Sequence, residues 1–178
     1  KKHMNNIINI AKKALRTEAN ALIKLAEKLP PDFLSLVDAI IESKGRVIVA
    51  GVGKSGHIGR KISATLSSTG TPSYFVHSSE ASHGDMGMIT RDDCVIALSN
   101  SGSTSEIMTL LPLIKRLNVP LIAITGDPQS DLALAADAHL LAAIDTEACP
   151  LNLAPTASTT AALVIGDALA IATLEARG

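Results

Sequence analysis

Apolar positions change period several times along this chain, and each change marks an element. From Asn5 to Leu29, Ile7, Ile8, Ala11, Ala14, Leu15, Leu22, Ile23, Leu25 and Ala26 recur at helical spacing, and the pattern stops at Pro30-Pro31. A second helix is predicted from Pro31 or Asp32 to Ser43, with Phe33, Leu34, Leu36, Val37, Ile40 and Ile41 inward and Gly45 as its stop. Short apolar runs follow, each bounded by turn residues: 46–50, 73–77, 94–98, 120–125 and 138–141. Helical patterns fall between most of them, at 56–68, 104–117 and 130–135, and an Ala- and Leu-rich stretch from Ala154 to Arg177 reads as a closing helix. Strands that alternate with helices imply a parallel sheet covered on both faces. The expected fold class is therefore α/β: a three-layer αβα sandwich around a doubly wound, five-stranded parallel sheet of flavodoxin-like kind. It forms one domain over residues 1–178, with its ligand site beyond the carboxyl ends of the strands.

Composition narrows the function. Hydrophobic residues make up 47% of the 178 and charged residues 19%, which predicts apolar helical surface covered by another subunit. Aromatics are 2% and the net charge is −1, so neither base stacking nor a phosphate-backbone footprint is available, and nucleic acid is excluded as a partner. Cys94 and Cys149 are too few for a disulfide framework; Cys94, opening a predicted strand, reads as a small buried hydrophobe. No uninterrupted apolar run reaches the roughly 18 residues that would span a bilayer, and no signal-peptide pattern opens the chain, so a cytoplasmic protein with no membrane partner is expected. Lys1-Lys2-His3 ahead of Met4 reads as an expression-tag remnant.

The chemistry gathers in the loops after the strands. Val95–Ile107 runs from an apolar strand into a loop where Ser99, Ser101, Ser103, Thr104 and Ser105 surround Gly102, followed by a helix start. Hydroxyls beside the free N–H groups of a helix N-terminus make an anion cradle. The first strand ends in Gly51, Gly53 and Gly56, a G-x-G-x-x-G turn that also fits a dinucleotide-binding domain. Against that reading, the acid expected after the second strand is replaced by His77 and Ser78, and the third strand carries its own anion loop. Lys54 places a cation within the turn, suited to a phosphate or a developing enolate. His77, Glu80, His83 and Asp85 cluster after the second strand, where zinc is conceivable although the spacing fixes no tetrahedral set. Glu106 lies on the first turn of its helix and Glu147 in the last long loop, a candidate general base at the phosphate-binding edge.

Together, GVGKSG, TGTPSYFVH, EASHGDMGMI, SNSGSTSEI and TEACPLNLAPTASTT resemble the sugar isomerase (SIS) domain family, most closely its D-arabinose 5-phosphate isomerase branch, from about Ala11 to Gly178. The resemblance implies interconversion of D-ribulose 5-phosphate and D-arabinose 5-phosphate, the entry to Kdo and lipopolysaccharide. It also implies a sugar phosphate as the small-molecule partner and a homotetramer with sites near subunit boundaries. By position it assigns substrate binding to Ser55, Gly70, Thr71, His77, His83, Ser99, Ser101 and Thr104, and catalysis to Lys54, Glu106 and Glu147. It requires no cofactor, and it makes His77 the place for an inhibitory divalent metal such as zinc.

Aldose–ketose interconversion needs a base that moves a proton between adjacent carbons through a cis-enediolate, and groups that hold the oxyanion. The expected assignment is Glu147 as base, Lys54 at the oxyanion, Glu106 as proton relay or hydroxyl positioner, and His83 on a substrate hydroxyl. Two other readings compete with it: a phosphosugar-sensing module without turnover, and a nucleotide-binding oxidoreductase. The family pattern continues into an SHPGGALG-like segment, whose His is implicated in catalysis, and then into paired cystathionine-β-synthase-type (CBS) domains. The chain stops at Gly178 and is read as an isolated isomerase domain of weak or absent activity. Ser103 stands where relatives often carry Glu.

Overall fold

The computed structural model describes residues 2–31, 33–81 and 84–178. Five parallel strands, β1 (Val47–Gly51), β2 (Ser73–His77), β3 (Cys94–Leu98), β4 (Leu121–Thr125) and β5 (Ala138–Leu141), lie in the order β2-β1-β3-β4-β5. Register pairs Val47 with both Ser73 and Cys94, and Val95 with Leu121. The order reverses at β1, so the loops after β1 and β3 diverge and open a crevice at the carboxyl edge. The expected doubly wound αβα sandwich is what forms.

Alternate residues of each strand feed two cores, because side chains leave a strand on opposite faces. Val47, Val49, Ile96, Leu98, Ile122 and Ile124 pack on one side with α2 (Phe33–Glu42), α3 (Gly53–Ser68) and α7 (Ala157–Arg177). Ile48, Ala50, Val95, Ala97, Leu121 and Ala123 pack on the other, chiefly with α5 (Ser105–Leu117) and with Leu132 of α6 (Asp131–Ala135). Cys94 is buried as expected, and burial, then Asp137 and Asp93, push its thiol up to about 12. By length and composition α7 could cross a membrane. In this fold Ala161, Ile165, Leu169 and Ala170 of that helix are buried in the first core.

The first helix forms with an outward apolar face, as expected, and two other elements differ from the prediction. α1 (Lys2–Glu27) is a helix, but among its described side chains only Leu25 reaches the core; Ile7, Ile8, Ile10, Leu15 and Ile23 are more than half exposed. Ala14, Ala21 and Leu22 are half-buried where α1 meets α7, while the rest of its apolar stripe faces outward. The segment after β2 forms a short helix, α4 (Ser78–Ala81), and a 3₁₀ turn (Asp85–Met88) in place of a plain loop. The closing helix begins at Ala157 and not at Ala154, because a distant carboxylate takes its first amides.

Candidate functional site

A cavity of about 550 Å³ opens at the carboxyl edge between the ends of β1, β3 and β4. Three helices aim their N-termini at it: α3 brings Lys54 and Ser55, the loop into α5 brings Ser99, Ser101 and Thr104, and α7 brings Ser158 and Thr159. Val52 caps α3 and Thr104 caps α5 with no side-chain hydrogen bond to the helix amides. The first amides of both helices are thus left without a capping side chain, the arrangement that favours a bound anion.

The hydroxyl loop is held by its own bonds. Gly102 N–H donates to Ser99 Oγ at 3.0 Å, and Ser103 N–H to Ser101 Oγ at 3.3 Å. Gly102 adopts φ +68°, and a Cβ there would fall 2.1 Å from Ser130 Oγ. Of the five clustered hydroxyl residues, Ser99, Ser101 and Thr104 line the cavity, and the buried Thr104 Oγ1 has no hydrogen-bond partner among the described residues. Ser103 instead donates to Asp131, and Ser105 to Glu106. Gly53, the middle glycine of the first turn, adopts φ +60°, which brings Lys54 round to the crevice.

Glu147 enters from the loop after β5. Its Oε2 accepts from Thr156 N–H at 2.7 Å, Thr156 Oγ1 at 2.9 Å and Ser158 N–H at 3.2 Å, so the carboxylate caps α7. Burial raises its pKa, but the hydrogen bonds from Ser158 and Thr156 outweigh that and hold it below the ordinary glutamate value. It is ionised at neutral pH.

Six predicted residues therefore meet on one cavity: Lys54, Ser55, Ser99, Ser101, Thr104 and Glu147. Glu106 sits in the first turn of α5, hydrogen-bonded by Ser105, and does not line it. His77 ends β2 at the same edge of the sheet, outside the cavity wall, with Nδ1 2.7 Å from Ser79 Oγ. Among the described residues no three His, Cys, Asp or Glu side chains cluster to hold a metal. His83 lies outside the described residues. Gly70 and Thr71 are placed elsewhere. They precede β2, so in an all-parallel sheet they fall at the amino edge, opposite the cavity, where Thr71 accepts from Arg177 at 3.3 Å. The sequence reading overlooked Asn100, Asn152, Thr156 and Ser158. Thr156 falls inside the closing helix as the sequence predicts it, so nothing there marked it as a cap.

This geometry defines the class: a doubly wound α/β domain with a crevice at its switch point, lined by hydroxyls and helix N-termini, that holds Lys54 and Glu147. Residues 39–172 match the SIS domain model, and the chain belongs to that family. It is 61% identical over 173 residues to arabinose 5-phosphate isomerase KdsD of Pseudomonas aeruginosa, covering 97% of this chain and 53% of that protein. Against KdsD of Escherichia coli K12 it is 57% identical over 167 residues, covering 94% and 51%. The chain thus spans about half the length of the curated relatives it matches. The c3406 protein of E. coli CFT073, solved in complex with arabinose 5-phosphate, superposes with a TM-score of 0.94 at 42% identity, covering 97% of this chain and 92% of that one.

Proposed function

We propose that this chain is the isomerase domain of an arabinose 5-phosphate isomerase, interconverting D-ribulose 5-phosphate and D-arabinose 5-phosphate and so supplying the precursor of Kdo. The names of its relatives support the substrate. The observation that carries the chemistry is that Lys54 and Glu147, far apart in sequence, share a cavity otherwise walled by serine and threonine hydroxyls and uncapped helix N-termini. In this reading Ser55, Ser99, Ser101 and Thr104 hold the phosphate.

From the aldose side, Glu147 takes the C2 proton and leaves the cis-enediolate with its charge on the C1 oxygen, which then gains a proton. Return of a proton to C1, with loss of the O2 proton, gives the ketose. Lys54 holds the oxyanion meanwhile. The reaction is redox-neutral within one molecule and calls for no external oxidant. Glu106, outside the cavity wall, is left a relay or positioning role. Assembly as a homotetramer in the cytoplasm belongs to the same proposal, supported by the uncovered apolar residues of α1 and by Ile171 and Leu174 on α7.

Glu147→Gln tests it. Turnover should fall about 10²–10⁴-fold, while calorimetric binding of arabinose 5-phosphate persists. Near-normal turnover in this variant would move the base to Glu106.

A further inference from the structure

The loop carrying Glu147 is tied to α7 by more than a capping carboxylate needs. Thr156 occupies the N-cap of α7, where a threonine hydroxyl ordinarily accepts from an amide two or three residues on. Here it makes no such bond. Its Oγ1 turns back, donates to Glu147 Oε2 at 2.9 Å and accepts from Ala148 N–H at 2.8 Å. Glu147 takes the helix amides in its place, from Thr156 at 2.7 Å and Ser158 at 3.2 Å. On the other side Asn152, held at φ +53°, accepts from Glu147 N–H at 2.8 Å and from Thr146 Oγ1 at 3.2 Å. These three bonds to the carboxylate all fall on Oε2.

We propose that Thr156 is a positioning residue for the isomerisation: its hydroxyl clamps Glu147 Oε2 and the Ala148 amide, fixing the direction in which Oε1 meets a substrate carbon. The inference rests on Glu147 being the base. Proton transfer requires the accepting oxygen within about 2.6–3.2 Å of its target, and an unrestrained glutamate side chain spreads Oε1 over many rotamers. With Oε2 pinned, that freedom is lost before substrate arrives. The clamp also survives the reaction: when Oε1 holds the proton, Oε2 becomes the carbonyl oxygen and still accepts from the same three donors. Among the charged groups near Glu147, Lys54 faces the same cavity from α3, and Asp145 in its own loop is paired with Lys24 of α1. Glu18 of α1 accepts from Thr160 of α7, and Cys149 lies two residues further along the loop.

Two measurements decide it. In the wild-type chain, ¹³C-labelled at glutamate, the Glu147 carboxyl carbon and the amide protons of Thr156 and Ser158 should titrate together; amides that ignore the carboxyl titration overturn the clamp. In Thr156→Val, kcat for arabinose 5-phosphate should fall roughly ten- to a hundred-fold with little change in KM. The acid limb of its pH profile should move upward, and Thr156→Ser should restore both. Wild-type kcat and acid limb in Thr156→Val, with Glu147→Gln inactive, overturn the inference and leave the base assignment standing. An active Glu147→Gln overturns the base assignment itself, and the wild-type amide titration then still decides the clamp separately.

Discussion

Gly102→Ala probes the anion loop at its tightest point. An alanine there must hold φ near +68°, which costs about 1 kcal/mol. Its Cβ would also fall 2.1 Å from Ser130 Oγ and 2.4 Å from Ser130 Cβ. Ser130 cannot simply yield. It is 4% exposed, accepts from Ala133 N–H at 3.3 Å as the cap of α6, and donates to the Asp127 carbonyl at 2.8 Å. Losing that cap costs about 1 kcal/mol, and residual overpacking at least about 1 more. The sum is about 3 kcal/mol, which in a chain of this size lowers Tm by roughly 6–12 °C. Because Gly102 N–H is what fixes Ser99 Oγ, affinity for arabinose 5-phosphate by calorimetry should weaken roughly ten-fold or more, the equivalent of one misplaced hydrogen bond. Gly70→Ala is the control. Gly70 has φ +94° but open space around its Cβ position, so strain of about 1 kcal/mol is expected with no loss of affinity. Unchanged Tm and affinity in Gly102→Ala would refute the argument, and so would impaired binding in Gly70→Ala.

Two further predictions concern the frame of the site. Asp93 is buried and accepts from Arg46 N–H and Thr90 N–H, both at 2.7 Å. Burial raises its pKa, yet these bonds and the Arg46 charge outweigh it and set the carboxyl below 3.8. Its contribution to stability is thus fully present above the unfolded value and lost as pH falls through the lower folded one; Asp93→Asn should cost about 2–3 kcal/mol at neutral pH and flatten the acid end of a urea-midpoint profile. At Gly166 a Cβ would meet Ile62 Cδ1 and Cγ1 at 2.4 Å, with Ile62 fully buried between α3 and α7. Gly166→Val should therefore lose roughly 3 kcal/mol in urea unfolding with ligand affinity intact.

Much of this was legible in the sequence because the strands alternate so regularly. The unbroken apolar runs at 47–50, 94–98 and 121–125 implied strands covered on both faces, and those strands are buried throughout. The hydroxyl loop on the cavity was legible too, since Ser99 and Ser101 are fixed locally by the turn around Gly102. Glu147 was found as a residue but not in its posture. Its three donors lie nine and eleven positions downstream, and no local pattern announces a cap supplied across a loop. Gly70 and Thr71 show the reverse case. They were assigned by motif, whereas their place just before a parallel strand puts them at the far edge. The stripe on α1 has helical spacing whether it packs inside the chain or against a neighbour, so periodicity alone did not say which.

The central claim, proton transfer through an enediolate in this cavity, is tested most directly by NMR of the chain incubated with D-ribulose 5-phosphate in deuterated water. The account predicts arabinose 5-phosphate carrying deuterium at C2, because the proton passes through a solvent-exchangeable carboxylate. Product with only protium at C2, carried over from C1, would contradict it.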